Sequence, residues 1–162
     1  MKFDVGIAAD FELSPVMDIF ENRPIKVCFV CTGNTCRSPM AAAVLNKLGK
    51  NYNISAVSAG LFPDIGSPMS VYAADALNKH GYDVPDHFAE RISEDIVREC
   101  DRIVGMSENH AFILLQMFPF AASGIYNMPS DISDPYGGTS EDYERCLAEI
   151  TNGIREMFKL YD

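Results

Sequence analysis

Short unbroken apolar runs alternate along the chain with stretches whose apolar residues recur at helical spacing. Residues 27–30 form one such run, rich in β-formers and ending at Cys31, which predicts a buried strand. Pro39 then suits the first turn of a helix that Ser38 is placed to cap. Met40, Ala41, Val44, Leu45 and Leu48 give that helix one apolar face, and Gly49 suits its end. The pattern returns three times. Strands are expected at 54–58, running into Ser58-Ala59-Gly60, at 102–106 and at 125–128. Helices are expected at 68–80, stopped by Gly81, at 93–100, and at 108–118, broken by Pro119. Residues 128–139 hold Pro, Asp and Gly and read as a loop. A closing helix at 141–160 places Tyr143, Leu147, Ile150, Ile154 and Phe158 on one face. Met106, Met117 and Phe118 read as core.

Strands alternating with helices indicate an α/β domain with a mostly parallel sheet. Such sheets bind ligands beyond the carboxyl ends of their strands, where the Cys31 loop and the 128–139 loop both fall. Residues 1–24 stand apart as an N-terminal extension, with a possible strand at 3–8 and a helical turn or two at 15–21. Pro24 separates them from the domain at 25–162.

The chemistry is concentrated in Cys31-Thr32-Gly33-Asn34-Thr35-Cys36-Arg37-Ser38-Pro39. A loop between a strand end and a helix start turns successive N–H groups inward, and the helix dipole adds positive potential. Gly33 permits a tight backbone, and Asn34 tolerates a left-handed one. The result is a cradle for a tetrahedral dianion. No lysine is present, so this is not a nucleotide-type phosphate loop. Instead, Cys31 supplies a thiol whose anion the dipole and Arg37 favour, and the Arg37 guanidinium can fork onto two phosphate oxygens. Ser38 is placed to donate to the sulfur. A thiolate below a bound phosphoryl group is set for in-line attack, giving a cysteinyl-phosphate. The leaving group needs an acid, and Asp134 is the choice because Ser133-Asp134-Pro135-Tyr136-Gly137-Gly138 is a rigid turn. Asp131 is the alternative, and Tyr136 is placed to wall the pocket.

These residues resemble the low-molecular-weight protein tyrosine phosphatases. The likeness rests on CTGNTCRSPMA after the first core strand, Ser58-Ala59-Gly60, His80-Gly81, His87 and DPYGG, and it runs from about residue 25 to the C-terminus. It implies Cys31 as nucleophile, Arg37 as phosphate clamp and Asp134 as general acid. Asn34, Ser38, Ser58 and His87 would support the loop. It also implies a three-layer fold, a four-stranded parallel sheet with helices on both faces, and no metal or other cofactor. The expected partners are a phosphorylated protein or peptide and inorganic phosphate. CTGNTCRSPM and the DP-aromatic-GG loop are similar to those of bacterial protein-arginine phosphatases. Many tyrosine-specific members carry an aliphatic residue where this chain has Thr35. A hydroxyl there suits a guanidinium, which makes phosphoarginine an expected substrate beside phosphotyrosine. The alternative is that Thr35 only satisfies the loop. The sequence departs from the family in its first 24 residues and in Met40-Ala41-Ala42, where Met-Ala-Glu is usual.

Charge and cysteine usage narrow the picture further. Lys and Arg total 13 against 23 Asp and Glu, a net charge of -10. Such a surface disfavours nucleic acid and anionic membranes, so the anion site must be local. Five cysteines at uneven spacing do not suggest a disulfide framework, and no long apolar stretch or signal peptide is evident, so a cytoplasmic location is expected. Cys28, Cys31 and Cys36 do not read as a metal set, because strand alternation puts the first two on opposite faces. Cys36 shares the loop with Cys31, and either a peroxide-induced disulfide between them or a plain packed thiol is open. His110 has no functional case. Arsenate reduction on the same scaffold needs resolving thiols around 80–90, and none is there. A mere phosphate-binding module has no use for a thiol, a guanidinium and an acid together.

Overall fold

The structure, a computed structural model, describes residues 23–161. The segment 1–22, with its expected strand and helical turns, lies outside the described residues. The order of elements is β1 (Ile25–Cys31), α1 (Arg37–Leu48), β2 (Ile54–Gly60), α2 (Val71–Lys79), α3 (Glu94–Glu99), β3 (Arg102–Gly105), α4 (Glu108–Met117), β4 (Ile125–Asn127) and α5 (Ser140–Phe158). Short 3₁₀ turns at Lys50–Tyr52 and Pro119–Gly124 lead into β2 and β4.

The four strands are all parallel, in the order β2-β1-β3-β4. Alternation along β1 divides the core. Val27, Phe29 and Cys31 face the layer of α1, α2 and α5, while Cys28 and Val30 face that of α3 and α4. Both layers are needed because a parallel sheet is apolar on each face. Phe29, Leu45, Leu77, Ile150 and Ile154 are fully buried, each contributing roughly 1.5–3 kcal/mol by transfer from water. The register sets Cys31 beside Gly60 and Val30 beside Gly105, so three strand ends meet at the rim where β1 runs into α1.

The outer edge of β2 is covered by a side chain. The Asn46 amide accepts from the Ala56 N–H at 2.7 Å and donates to the Ala56 carbonyl at 3.0 Å. Farther along, Gly60 N–H bonds the Glu90 carbonyl and Ile92 N–H bonds the Gly60 carbonyl.

Local expectations needed correction in three places. The first helix begins at Arg37 with Cys36 as its N-cap and no side-chain cap, so Ser38 is not the cap; its hydroxyl is committed to the loop. The second begins at Val71 rather than 68, because Pro68 forms an antiparallel bridge with Phe88 and Ser70 N–H bonds the Thr35 carbonyl. Met117 is exposed, since the helix ends there and turns away at Phe118, which does pack in the core.

Candidate active site

Cys31 is the last residue of β1, and its thiol is almost wholly buried. Sγ lies 2.9 Å from Ser38 Oγ and accepts from the Asn34 N–H at 3.3 Å. Ser38 Oγ also lies 3.5 Å from the Ala59 carbonyl oxygen. The loop can close this tightly because Asn34 adopts φ 57, in the left-handed region that asparagine tolerates. It can also lie against the end of β2, because Gly60 has no side chain. A Cβ there would stand 2.8 Å from the Thr32 carbonyl oxygen and 3.0 Å from Asn34 Cβ. Leu61 and Phe62 N–H groups tie the Cys31 and Thr32 carbonyls to that strand end.

Asn34 is the hub of the loop and is fully buried. Its Nδ2 donates to Ser38 Oγ at 2.9 Å and to Ser58 Oγ at 3.0 Å, and its Oδ1 accepts from the Glu90 N–H at 2.9 Å. His87 Nε2 donates to the Asn34 carbonyl at 2.6 Å. The structure therefore places Asn34, Ser38, Ser58 and His87 in one network around the sulfur.

Arg37 opens α1 and is nearly buried. It donates to the Ile132 carbonyl at 3.1 Å and lies 3.6 Å from Asp134 Oδ2. Asp134 is half exposed, so this ion pair contributes at most about 1 kcal/mol, and an incoming anion can displace it. Asp134 Oδ1 accepts from the Tyr136 N–H at 3.1 Å, a turn that fixes the carboxylate. Asp131 is tied elsewhere, accepting from the Glu108 N–H at the start of α4.

A cavity of about 330 Å³ is lined by the loop from Cys31 to Arg37 together with Asp64, Ser67, Asp134 and Tyr136. Tyr136 is 79% exposed and stands as an outer wall. Thr35 Oγ1 lies 3.6 Å from Cys36 Sγ, which in turn lies 3.4 Å from the Tyr143 hydroxyl. Burial, reinforced by Cys36, pushes the Tyr143 phenol up to about 12. Cys36 is buried at the N-terminal end of α1 with the Tyr143 hydroxyl against its sulfur.

Two residues at this site escaped the sequence. Asp64 brings a second carboxylate to the cavity, held by a hydrogen bond from Ser67 Oγ at 3.0 Å. His110 reaches the loop from α4, with Nε2 3.0 Å from Thr32 Oγ1 and Nδ1 2.8 Å from Ser107 Oγ. It is 4% exposed. Burial and then the Arg37 charge push its imidazole down to about 4. Among the described residues, no group of three or more His, Cys, Asp and Glu side chains gathers to hold a metal. Nor is any helix there long and apolar enough to cross a membrane.

Comparison with known proteins agrees with this geometry. The family model for low molecular weight phosphotyrosine protein phosphatase matches residues 26–161. The chain is 32% identical over 142 residues to a protein-arginine-phosphatase of Geobacillus stearothermophilus, covering 83% of this chain and 94% of that one. A crystal structure of a low molecular weight protein tyrosine phosphatase from T. tengcongensis superimposes with a TM-score of 0.77 at 35% identity, covering 82% of this chain and 96% of that one. A YwlE arginine phosphatase mutant carrying a phosphorylated active site serine superimposes with a TM-score of 0.78 at 26% identity, covering 83% and 94%. The matched span contains the whole of the loop and the Asp134 turn and all of the sheet but Ile25, and the chain belongs to the low molecular weight phosphotyrosine protein phosphatase family.

Proposed function

We propose that this chain hydrolyses phosphoarginine and phosphotyrosine on proteins, with phosphoarginine the preferred substrate, and that Cys31, Arg37 and Asp134 carry the reaction. The observation that carries the reading is a sulfur held by a hydroxyl and an amide in a cavity shared with a guanidinium and a carboxylate. The Cys31 thiolate attacks phosphorus in line, and the S–P bond forms as the bond to the substrate nitrogen or oxygen breaks. Arg37 leaves Asp134 and the Ile132 carbonyl to fork onto the equatorial oxygens, where charge grows in the transition state. Asp134 gives its proton to the leaving atom and then accepts one from the water that cleaves the cysteinyl-phosphate, releasing inorganic phosphate. The phosphorylated active site serine of the YwlE mutant supports a covalent phospho-enzyme at this position.

Phosphoarginine is favoured by three things. Thr35 brings a hydroxyl to the cavity lining, and Asp64 joins Asp134 there as a second carboxylate, which suits a cationic guanidinium better than a phenyl ring. Relatives from Geobacillus stearothermophilus and Bacillus subtilis bear the name protein-arginine-phosphatase. Phosphotyrosine is supported by the exposed Tyr136 ring at the wall. Five free thiols suit the reducing, cytoplasmic setting we propose for the enzyme. The test is turnover of phosphoarginine, phosphotyrosine and phosphoserine peptides side by side, with Cys31→Ser as control. Thr35→Ile should move the preference toward phosphotyrosine. A wild-type preference for phosphotyrosine, unmoved by that change, refutes the phosphoarginine reading.

A further inference from the structure

We infer that His110 is a positioning residue that holds the Thr32 hydroxyl as a hydrogen-bond donor into the phosphoryl pocket. The inference deepens the phosphatase reading and rests on it. One chain of hydrogen bonds, from Ser107 through His110 to Thr32, carries it.

Ser107 caps α4, and its Oγ accepts from the His110 backbone N–H at 3.3 Å. The same Oγ lies 2.8 Å from His110 Nδ1. A serine hydroxyl has one proton to give, and in the proposed orientation Ser107 gives it to Nδ1. In that orientation Nδ1 is the unprotonated nitrogen. The ring is neutral, because burial and Arg37 keep it so down to about pH 4, and its single N–H then sits on Nε2. Nε2 lies 3.0 Å from Thr32 Oγ1, so the histidine donates and the threonine oxygen accepts. The Thr32 proton is then left for another acceptor. It cannot point back at His110, and Thr32 is an exposed member of the cavity lining, so the hydroxyl turns toward the space a phosphoryl group occupies. A donor so fixed is ready for oxygens that gain charge in the transition state and needs no reorientation when they do.

The backbone of Thr32 is already anchored, its carbonyl accepting from Phe62 N–H at 3.0 Å. Only the side chain's rotation remains to be set, and His110 is what reaches it. Arg37, Asp131 and Asp134 are the charged groups that face the imidazole.

Nitrogen NMR of the wild-type histidine rings reads the orientation directly and needs no variant. A protonated Nε2 and a bare Nδ1 on His110 are expected at neutral pH. The opposite tautomer would turn the Thr32 proton toward the ring and overturns the proposal. Kinetics on phosphoarginine and phosphotyrosine peptides read the consequence. Thr32→Val should lower kcat by about 10- to 100-fold with KM little changed, as expected for a lost bond to a charged oxygen, and Thr32→Ser should restore most of it. His110→Ala should cost less in the Thr32→Val background than in wild type, since both remove the same donor. A Thr32→Val enzyme within twofold of wild type, a loss confined to KM, or strictly additive effects would each overturn it. Turnover surviving in Cys31→Ser would instead sink the phosphatase reading beneath it.

Discussion

Replacing Asn34 with alanine tests how the loop is held. The side chain makes three hydrogen bonds, two donated to Ser38 and Ser58 and one accepted from Glu90. Each contributes about 1 kcal/mol net, so their loss costs about 3 kcal/mol. Alanine must also keep φ 57, a left-handed backbone that costs it about 1 kcal/mol more than asparagine. The expected destabilisation is about 4 kcal/mol, a large part of the roughly 5–15 kcal/mol that holds a domain of this size. Urea unfolding measures it as a lower midpoint with an unchanged slope. Asn34→Asp should lose about half as much, keeping the acceptor for Glu90 and the tolerance for left-handed φ while discarding both donors. A change below about 1 kcal/mol for Asn34→Ala would refute the reasoning, because it would mean that the loop keeps its shape without its hub.

Further outcomes follow from the same geometry. Ser38→Ala removes the hydroxyl 2.9 Å from the Cys31 sulfur and should lower kcat by about 10- to 100-fold, measured with saturating substrate. His110, pushed down from 6.5 to about 4, makes the fold lose stability as pH falls, because the unfolded chain takes up that proton first. The contribution is complete above about 6.5, and at most about 2 kcal/mol of it is gone by pH 5; urea unfolding of wild type and His110→Leu at the two pH values should show the flatter dependence in the variant. Cys100 is held below the usual thiol range by a hydrogen bond from Cys28, whereas the same bond and burial push Cys28 up. Burial pushes Cys146 up to about 12. Cys100 should therefore be alkylated by iodoacetamide well before Cys28 or Cys146, as peptide mass spectrometry would record; equal rates would contradict it.

The parts that were legible in the sequence are those whose cause is local. The run into Cys31, the Pro39 helix start and the spacing of Tyr143, Leu147, Ile150, Ile154 and Phe158 announce their elements because period and punctuation are written in neighbouring residues. The loop was legible for the same reason, since its nine residues are contiguous. Ser38 was misread as a cap because its hydroxyl is claimed by Cys31, a contact that only the closed loop creates. The helix start at Val71 was missed because the bridge of Pro68 to Phe88 comes from a distant segment. His110 was invisible for a deeper reason. In sequence it sits in the first turn of an ordinary amphipathic helix, and its partner Thr32 lies 78 positions away. Asp64 is likewise brought to the cavity by the turn after β2, which no periodicity marks.

The Asn46 amide on Ala56 reaches past its own helix in effect. A sheet rim with unspent N–H and C=O groups is a template on which another chain can lay a strand, and long enough rims seed stacked aggregates. Along β2 the rim positions alternate as Ile54, Ala56, Ser58 and Gly60. Three of these already bond to Gly49, to Asn46 and to the segment from Glu90 to Ile92. A single carboxamide thus impersonates a neighbouring strand for one residue at mid-length and breaks the continuity that strand addition needs. The longer rim of the sheet is thereby made a poor template for fibrous growth, with no fifth strand among the described residues.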